Sequence, residues 1–157
     1  MYIISIIACV ILIIADQVSK YIALEYLKPV RSIQIIQNVF ALTFVENRGA
    51  AFGILQGARI GFLIVTPLIL AALIYFFVKL PYGRVYSFMR AALVLITAGA
   101  IGNFIDRLFR GYVIDFLHAT FIDFPVFNLA DIFVVTGTIL LSVLLLFFIR
   151  DEPEIVK

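Results

Sequence analysis

The chain has 157 residues, 64% of them hydrophobic and only 14% charged, with a net charge of +2. A soluble domain carries about 25% charged residues, and one of this size cannot hide so much apolar surface in its interior. A mean hydropathy of +1.16 therefore points to a membrane; the small net charge argues against a basic face for nucleic acid, and the single Cys9 excludes an intramolecular disulfide or a cysteine-cluster metal site.

Crossing a hydrocarbon core of about 30 Å takes roughly 20 residues in a helix. The first uncharged run, residues 2–15, is too short alone and must include Asp16, Gln17 or Lys20, which gives an approximate span of 2–24. No Lys or Arg precedes this run, and further apolar runs follow, so it reads as a retained helix and not a cleaved leader. Residues 31–46 (RSIQIIQNVFALTFVE) are rich in β-branched and aromatic types, with Gln37 and Asn38 between two apolar stretches. That pattern predicts a small antiparallel sheet against the membrane surface. Residues 49–60 then predict a short helix lying in the interface.

The second span, 61–78, has no charge and contains Pro67, which membrane helices tolerate. The third, 86–106, needs Arg90 to snorkel to the headgroups. The fourth, 131–149, is followed by Arg150. The linker at 79–90 holds Lys79, Arg84 and Arg90 and no acid, which makes it the cytoplasmic side by charge bias. Four spans then place both termini in the cytoplasm. The expected architecture is an all-α integral membrane protein of one domain, with four transmembrane helices, a small extracytoplasmic sheet and an interfacial helix.

This topology sorts the polar residues by depth. Asp16 lies about 20 Å along the first helix at about 1.5 Å per residue, and Lys20 follows on the same face. Asn103, Asp106 and Arg107 end the third helix, Asn128 and Asp131 begin the fourth, Asp115 lies in the connection between them, and Asn47 ends the sheet segment. All gather at the outer mouth. Ionisable groups at membrane depth cost at least about 2.5 kcal/mol each on insertion scales, so they are functional candidates by default. Simpler roles also fit: an i,i+4 ion pair for Asp16 and Lys20, a helix end at Asp106 and Arg107, and a helix cap for Asn128 with Asp131. Asp115, flanked by Val113, Ile114, Phe116 and Leu117, is the hardest to dismiss as a solvated loop residue.

His118 is the only histidine, so histidine-based zinc, serine or cysteine chemistry lacks its ordinary support. Cys9 lies far from the cluster and reads as a packing residue, and Ala98, Gly99, Ala100 and Gly102 read as a close helix-packing surface. Carboxylate chemistry remains: a close pair shares a proton and can activate water, bind a hard cation, or relay protons.

Four motifs, in order, resemble the bacterial lipoprotein signal peptidases (signal peptidase II). They are Asp16-Gln-Val-Ser-Lys20; Phe40 to Gly53 with Asn47, Gly49 and Phe52; Gly99-Ala-Ile-Gly102-Asn103-Phe-Ile-Asp106-Arg107 with Gly111-Tyr-Val-Ile-Asp115; and Phe124-Pro-Val-Phe-Asn128-Leu-Ala-Asp131. Each alone is weak, but together they span almost the whole chain. The family usually has two glycines where this chain has Ala98-Gly99, and alanine keeps a tight helix contact.

The resemblance implies an aspartic endopeptidase of the bacterial cytoplasmic (inner) membrane. It would remove signal peptides from diacylglyceryl-modified prolipoproteins, cutting before the lipidated cysteine. Asp115 and Asp131 match the catalytic pair. Asp16, Lys20, Asn47, Gly49, Phe52, Asn103, Asp106, Arg107 and Asn128 match substrate-binding or supporting positions. It further implies a sheet that forms a cradle, a closing interfacial helix, no metal or other cofactor, and inhibition by globomycin-type lipopeptides. The partners are lipidated precursors and membrane lipids, and a monomer suffices.

Two other functions compete. A small ion-coupled transporter using Asp16, Asp106 and Asp131 as a relay predicts polar residues at the midplane of several helices, yet residues 61–78 and 132–149 are nearly devoid of them. A non-catalytic assembly partner predicts that acid-to-amide changes leave its complex active.

Overall fold

The apolar runs become four helices, and chain direction brings one end of each to a common polar mouth. The computed structural model describes residues 2–49, 59–122 and 124–148. Helix α1 (Tyr2–Ile22) continues into a single π-helical turn, Ala23–Leu27. Helices α2 (Arg59–Lys79), α3 (Arg84–Phe109) and α4 (Leu129–Phe147) follow. All four are long and apolar enough to cross a membrane.

Helix α3 is the centre, packing on α1, α2 and α4. Small residues allow the closest approach: a side chain at Gly99 would collide with the Ala130 carbonyl, and one at Gly137 with the Ala92 carbonyl. Helix α2 contributes no buried residue and carries Pro67 within it. Its apolar surface is of the kind that faces lipid, where exposed Ile, Leu and Phe need no further explanation. The Arg90 guanidinium reaches back to the linker between α2 and α3. Because α3 begins at Arg84, Arg90 sits well inside the helix, only 2% exposed, bonded to the Leu80 carbonyl and stacked over Tyr82.

The expected hairpin is present as β1 (Ser32–Ile36) and β2 (Phe40–Asn47). Asn38 turns the chain at φ 58°, a left-handed position that Asn tolerates. The sheet has a third strand where the sequence pattern predicts only a connection: β3 (Val113–Ala119), antiparallel to β2 in the order β1-β2-β3. Asp115 therefore stands on a strand. Ile114 and Phe116 point to the other face, where they pack with Phe44, Ala23 and Leu27, so the sheet rests on the widened end of α1. Most of the expected interfacial helix (49–60), with Phe52, falls on residues 50–58, outside the described residues, while Arg59 and Ile60 open α2; the end of the fourth span at Ile149 also lies outside the described residues.

Candidate active site

Strand β3 and the start of α4 converge. Phe127 accepts backbone N–H bonds from Phe116 (3.0 Å) and Leu117 (2.8 Å) and returns one to the Leu117 carbonyl (2.9 Å). This clamp delivers the next residue, Asn128, to Asp115: its Nδ2 donates to Asp115 Oδ1 at 2.6 Å. The other carboxylate oxygen, Oδ2, accepts from Asn47 Nδ2 at 2.9 Å. Asn47 pairs with Val113 and Val45 with Asp115, so Asn47 and Asp115 are diagonal neighbours on one face of the sheet.

Asn128 is also the cap of α4. Its Oδ1 accepts the Asp131 N–H at 3.0 Å, and Asp131 Oδ2 accepts the Asn128 N–H at 3.1 Å, a reciprocal capping box. The remaining Asp131 oxygen, Oδ1, accepts from Asn103 Nδ2 on α3 at 2.8 Å. Asn103 Oδ1 in turn accepts from Asn128 at 3.2 Å and from Lys20 Nζ at 2.9 Å. The cap and the cluster are thus the same residues serving both purposes.

Beneath this lies a fully buried ionic layer. Lys20 Nζ contacts Asp16 Oδ2 at 2.9 Å and Asp106 Oδ2 at 3.0 Å, all three side chains being 0% exposed. The i,i+4 pair expected of Asp16 and Lys20 exists, and Asp106 joins it from α3. Asp16 Oδ1 accepts the Ala130 N–H at 3.0 Å, satisfying one of the donors left open at the start of α4. Gly102 makes room for this carboxylate, since a side chain there would strike it. Asp106 pairs with Arg110 and accepts the Ile114 N–H at 3.2 Å. The layer therefore ties α1, α3, β3 and α4 together.

Arg107 adds the third wall. Its guanidinium donates to the Gly49 carbonyl at 3.0 Å, lies 4.2 Å over the Phe62 ring and is within electrostatic reach of Asp131, Asp115 and Asp106. The Gly49 N–H donates to Asn47 Oδ1 at 3.0 Å. At the rim, hydrogen bonds from Lys28 and then Arg48 hold the Glu46 carboxyl below its ordinary range. Asn47, Asn103, Arg107, Asp115 and Asp131 line a cavity of about 310 Å³ closed by Phe124, Pro125, Phe127, Val134 and Val135. The Asp115 carboxyl is pushed up to about 7, first by burial and then by the nearby Asp131 charge, against the hydrogen bonds from Asn47 and Asn128. A carboxyl titrating near neutrality beside a second one is the electronic arrangement of an acid–base pair.

Of the residues expected at the mouth, Asp16, Lys20, Asn47, Gly49, Asn103, Asp106, Arg107, Asn128, Asp115 and Asp131 all join this one network or its cavity. Three contributors escaped the sequence reading. Gln17 links Asp16 to the Gly102 carbonyl (3.1 Å to each), Arg110 pairs with Asp106, and Arg59 caps the end of α3 at the Arg107 and Leu108 carbonyls (2.9 Å each). The i,i+4 spacing of Asp106 and Arg110 was a usable signal, whereas nothing local marks Arg59.

A family model described as signal peptidase (SPase) II matches residues 8–147. A lipoprotein signal peptidase of Caldanaerobacter subterraneus subsp. tengcongensis is 44% identical over 144 residues, covering 91% of this chain and 96% of that one. One of Clostridioides difficile is 46% identical over 139 residues, with 88% and 92% covered. One of Staphylococcus aureus is 43% identical over 152 residues, with 96% and 92% covered. Two bacterial membrane enzyme structures determined by the in meso method superpose with TM-scores of 0.86 and 0.81 at 41% and 42% identity. They cover 98% and 94% of this chain, and each is itself covered to 94%.

Proposed function

This chain belongs to the signal peptidase II family, and on that premise we propose that Asp115 and Asp131 are the catalytic pair of its aspartic peptidase activity. It is a multi-pass protein of the bacterial inner membrane. Its substrates are prolipoproteins; on this reading they carry a diacylglyceryl group on the cysteine that becomes the new N-terminus, and the cut falls just before that cysteine.

The observation that carries the reading is the amide bridge between the two acids. Asn128 holds Asp115 while capping the helix that presents Asp131, and Asn103 holds Asp131 from α3. Both carboxyls are thereby fixed on one cavity. One, ionised, takes a proton from water as the water oxygen bonds to the scissile carbonyl carbon. The other, protonated, donates to the carbonyl oxygen, and the amine leaves with a proton when the intermediate collapses. Arg107 and Asn47 at the cavity wall are suited to hold the substrate backbone. The apolar wall of Phe127, Val134 and Val135 fits the lipidated residue, whose acyl chains remain in the bilayer beside the helices. Globomycin-type lipopeptides would compete for the same cavity.

The basic linker between α2 and α3 supports cytoplasmic termini and an active site at the outer leaflet, with approximate spans 2–24, 61–78, 86–106 and 131–149 in one domain and an outer segment 31–60. In a Cys9→Ala background, a single cysteine placed in residues 79–90 stays protected from an impermeant external reagent, whereas labelling there reverses the orientation. Cleavage of a diacylglyceryl-modified precursor by Asp115→Asn and by Asp131→Asn tests the pair. Each loses about 10²- to 10⁴-fold in turnover, and near-wild-type turnover by either folded variant overturns it.

A further inference from the structure

We propose that Lys20, a residue that touches neither acid of the pair, decides which of them carries the negative charge: it orients Asn103 so that Asp131 is the ionised base and Asp115 keeps the proton. The inference rests on the reading of Asp115 and Asp131 as the working pair.

An ammonium donates three hydrogen bonds and accepts none. Lys20 gives its three to Asp16, Asp106 and Asn103. The atom of Asn103 that faces Lys20 must therefore be the oxygen, which turns the Nδ2 group toward Asp131. Asn128 and Asn47 are fixed by the same logic. A backbone N–H, of Asp131 and of Gly49 respectively, claims each amide oxygen and turns each Nδ2 toward Asp115. No amide in the network can reverse without setting donor against donor.

Charge balance then fixes how many protons the cluster holds. The charged groups packed around the pair are Lys20 and Asp16 on α1, Asp106, Arg107 and Arg110 on α3, Asp115 on β3 and Asp131 on α4. Three cations meet four carboxyls, so one retained proton makes the cluster neutral, and an unbalanced charge is disfavoured where Lys20, Asp16, Asp106 and Asp115 are buried. The proton's place follows from the partners. Asp131 receives an amide polarised by the Lys20 ammonium and a backbone N–H at the positive end of α4. Asp115 receives two neutral amides, one of them the cap of α4, accepts no backbone N–H of that helix and feels the Lys20 charge only through space. Asp131 is the better anion site. In the forward step a water proton passes to the Asp131 carboxylate as the water oxygen attacks the peptide carbon, and the Asp115 proton passes to the carbonyl oxygen. Lys20 touches no reacting atom and acts as a positioning residue.

Asn103→Asp separates the two assignments without disturbing Lys20, whose contact becomes an ion pair. If Asp131 is the anion, a second carboxylate oxygen now faces it and the two must share a proton. The kcat then falls about 100-fold or more, with KM and the thermal unfolding midpoint little changed. If Asp131 were the protonated partner, the new carboxylate would accept its hydrogen bond and kcat would stay near wild type, which overturns the proposal. The pH profile of Lys20→Gln gives the second reading. Removing the ammonium moves the acidic limb of kcat/KM upward by about one pH unit, and Lys20→Arg restores it. A purely structural role would lower the amount of active enzyme and leave both limbs in place, and that result overturns the role of Lys20. If Lys20→Gln does not fold, Asn103→Leu, which removes the amide linking Lys20 to Asp131, is expected to raise the acidic limb in the same way, and an unmoved limb overturns the proposal. Failure of the pair itself looks different: Asp115→Asn or Asp131→Asn would remain active, whatever the profile of Lys20→Gln.

Discussion

The two ends of the bundle solve different physical problems. At the mouth formed by the ends of α1 and α3 and the starts of α2 and α4, Asp16, Lys20, Asp106, Asp115 and Asn128 are all buried and all bonded. At the opposite end, Arg90 is the one buried charged side chain among the described residues, bonded to a backbone carbonyl and lying over a tyrosine ring. Apolar surface toward lipid asks only for length and hydrophobicity, so many sequences serve. A buried polar network asks for a partner on nearly every donor and acceptor, because each unpaired one is expensive in a dry site. Sequence information is therefore concentrated at one end, and so is chemistry.

That contrast can be broken by substitution, and the expected effects fall in a clear order. Lys20→Met strands two buried carboxylates and should cost about 3–5 kcal/mol of unfolding free energy, measured by thermal or denaturant unfolding in detergent. A loss no greater than that of a variant at the opposite end would erase the difference between the ends. Gly102→Ala pushes a methyl group into the Asp16 carboxylate; overpacking of this kind costs about 1–3 kcal/mol, and cleavage should fall with it because Asp16 anchors the first turn of α4. Arg90→Lys keeps the charge but loses the fork that reaches Leu80. It should cost about 0.5–1.5 kcal/mol and leave kcat/KM for lipidated precursor unchanged, whereas a large catalytic defect would tie the two ends together. Gly61→Ala meets nothing within 4 Å and should raise helix stability by at most about 1 kcal/mol, read as a small rise in melting temperature.

The same contrast explains what could be read in advance. The apolar runs announce the helices because every residue of a lipid-facing segment repeats the same message. The β1–β2 hairpin was legible too, because two runs rich in Ile, Val, Phe and Thr flank Gln37 and Asn38 with only a short turn between. Strand β3 was not: its partner strand lies far upstream, and Val113, Ile114, Asp115 and Phe116 are buried in succession, which hides the alternation. Asp16, Asn103, Asp106 and Asp131 could be gathered at one level from sequence, since helix rise converts sequence position into height. Height does not tell which groups touch. That Asn128 bridges a cap to Asp115, or that Gln17 reaches the Gly102 carbonyl, depends on lateral packing that one sequence does not encode locally. The family motifs marked the positions, and the structure supplies their connections.

The central claim is that this mouth works as an acid–base pair holding one proton, with Asp115 titrating near neutrality. Its pKa is raised by burial to about 7, so its proton is present below that pH and lost as the pH rises through it. The most direct measurement is the pH dependence of kcat/KM for cleavage of a diacylglyceryl-modified precursor by the intact protein in micelles. The account predicts a bell-shaped profile whose basic limb falls near pH 7. A rate that stays flat from about pH 5 to about pH 9 would contradict a pair that must be half-protonated to work.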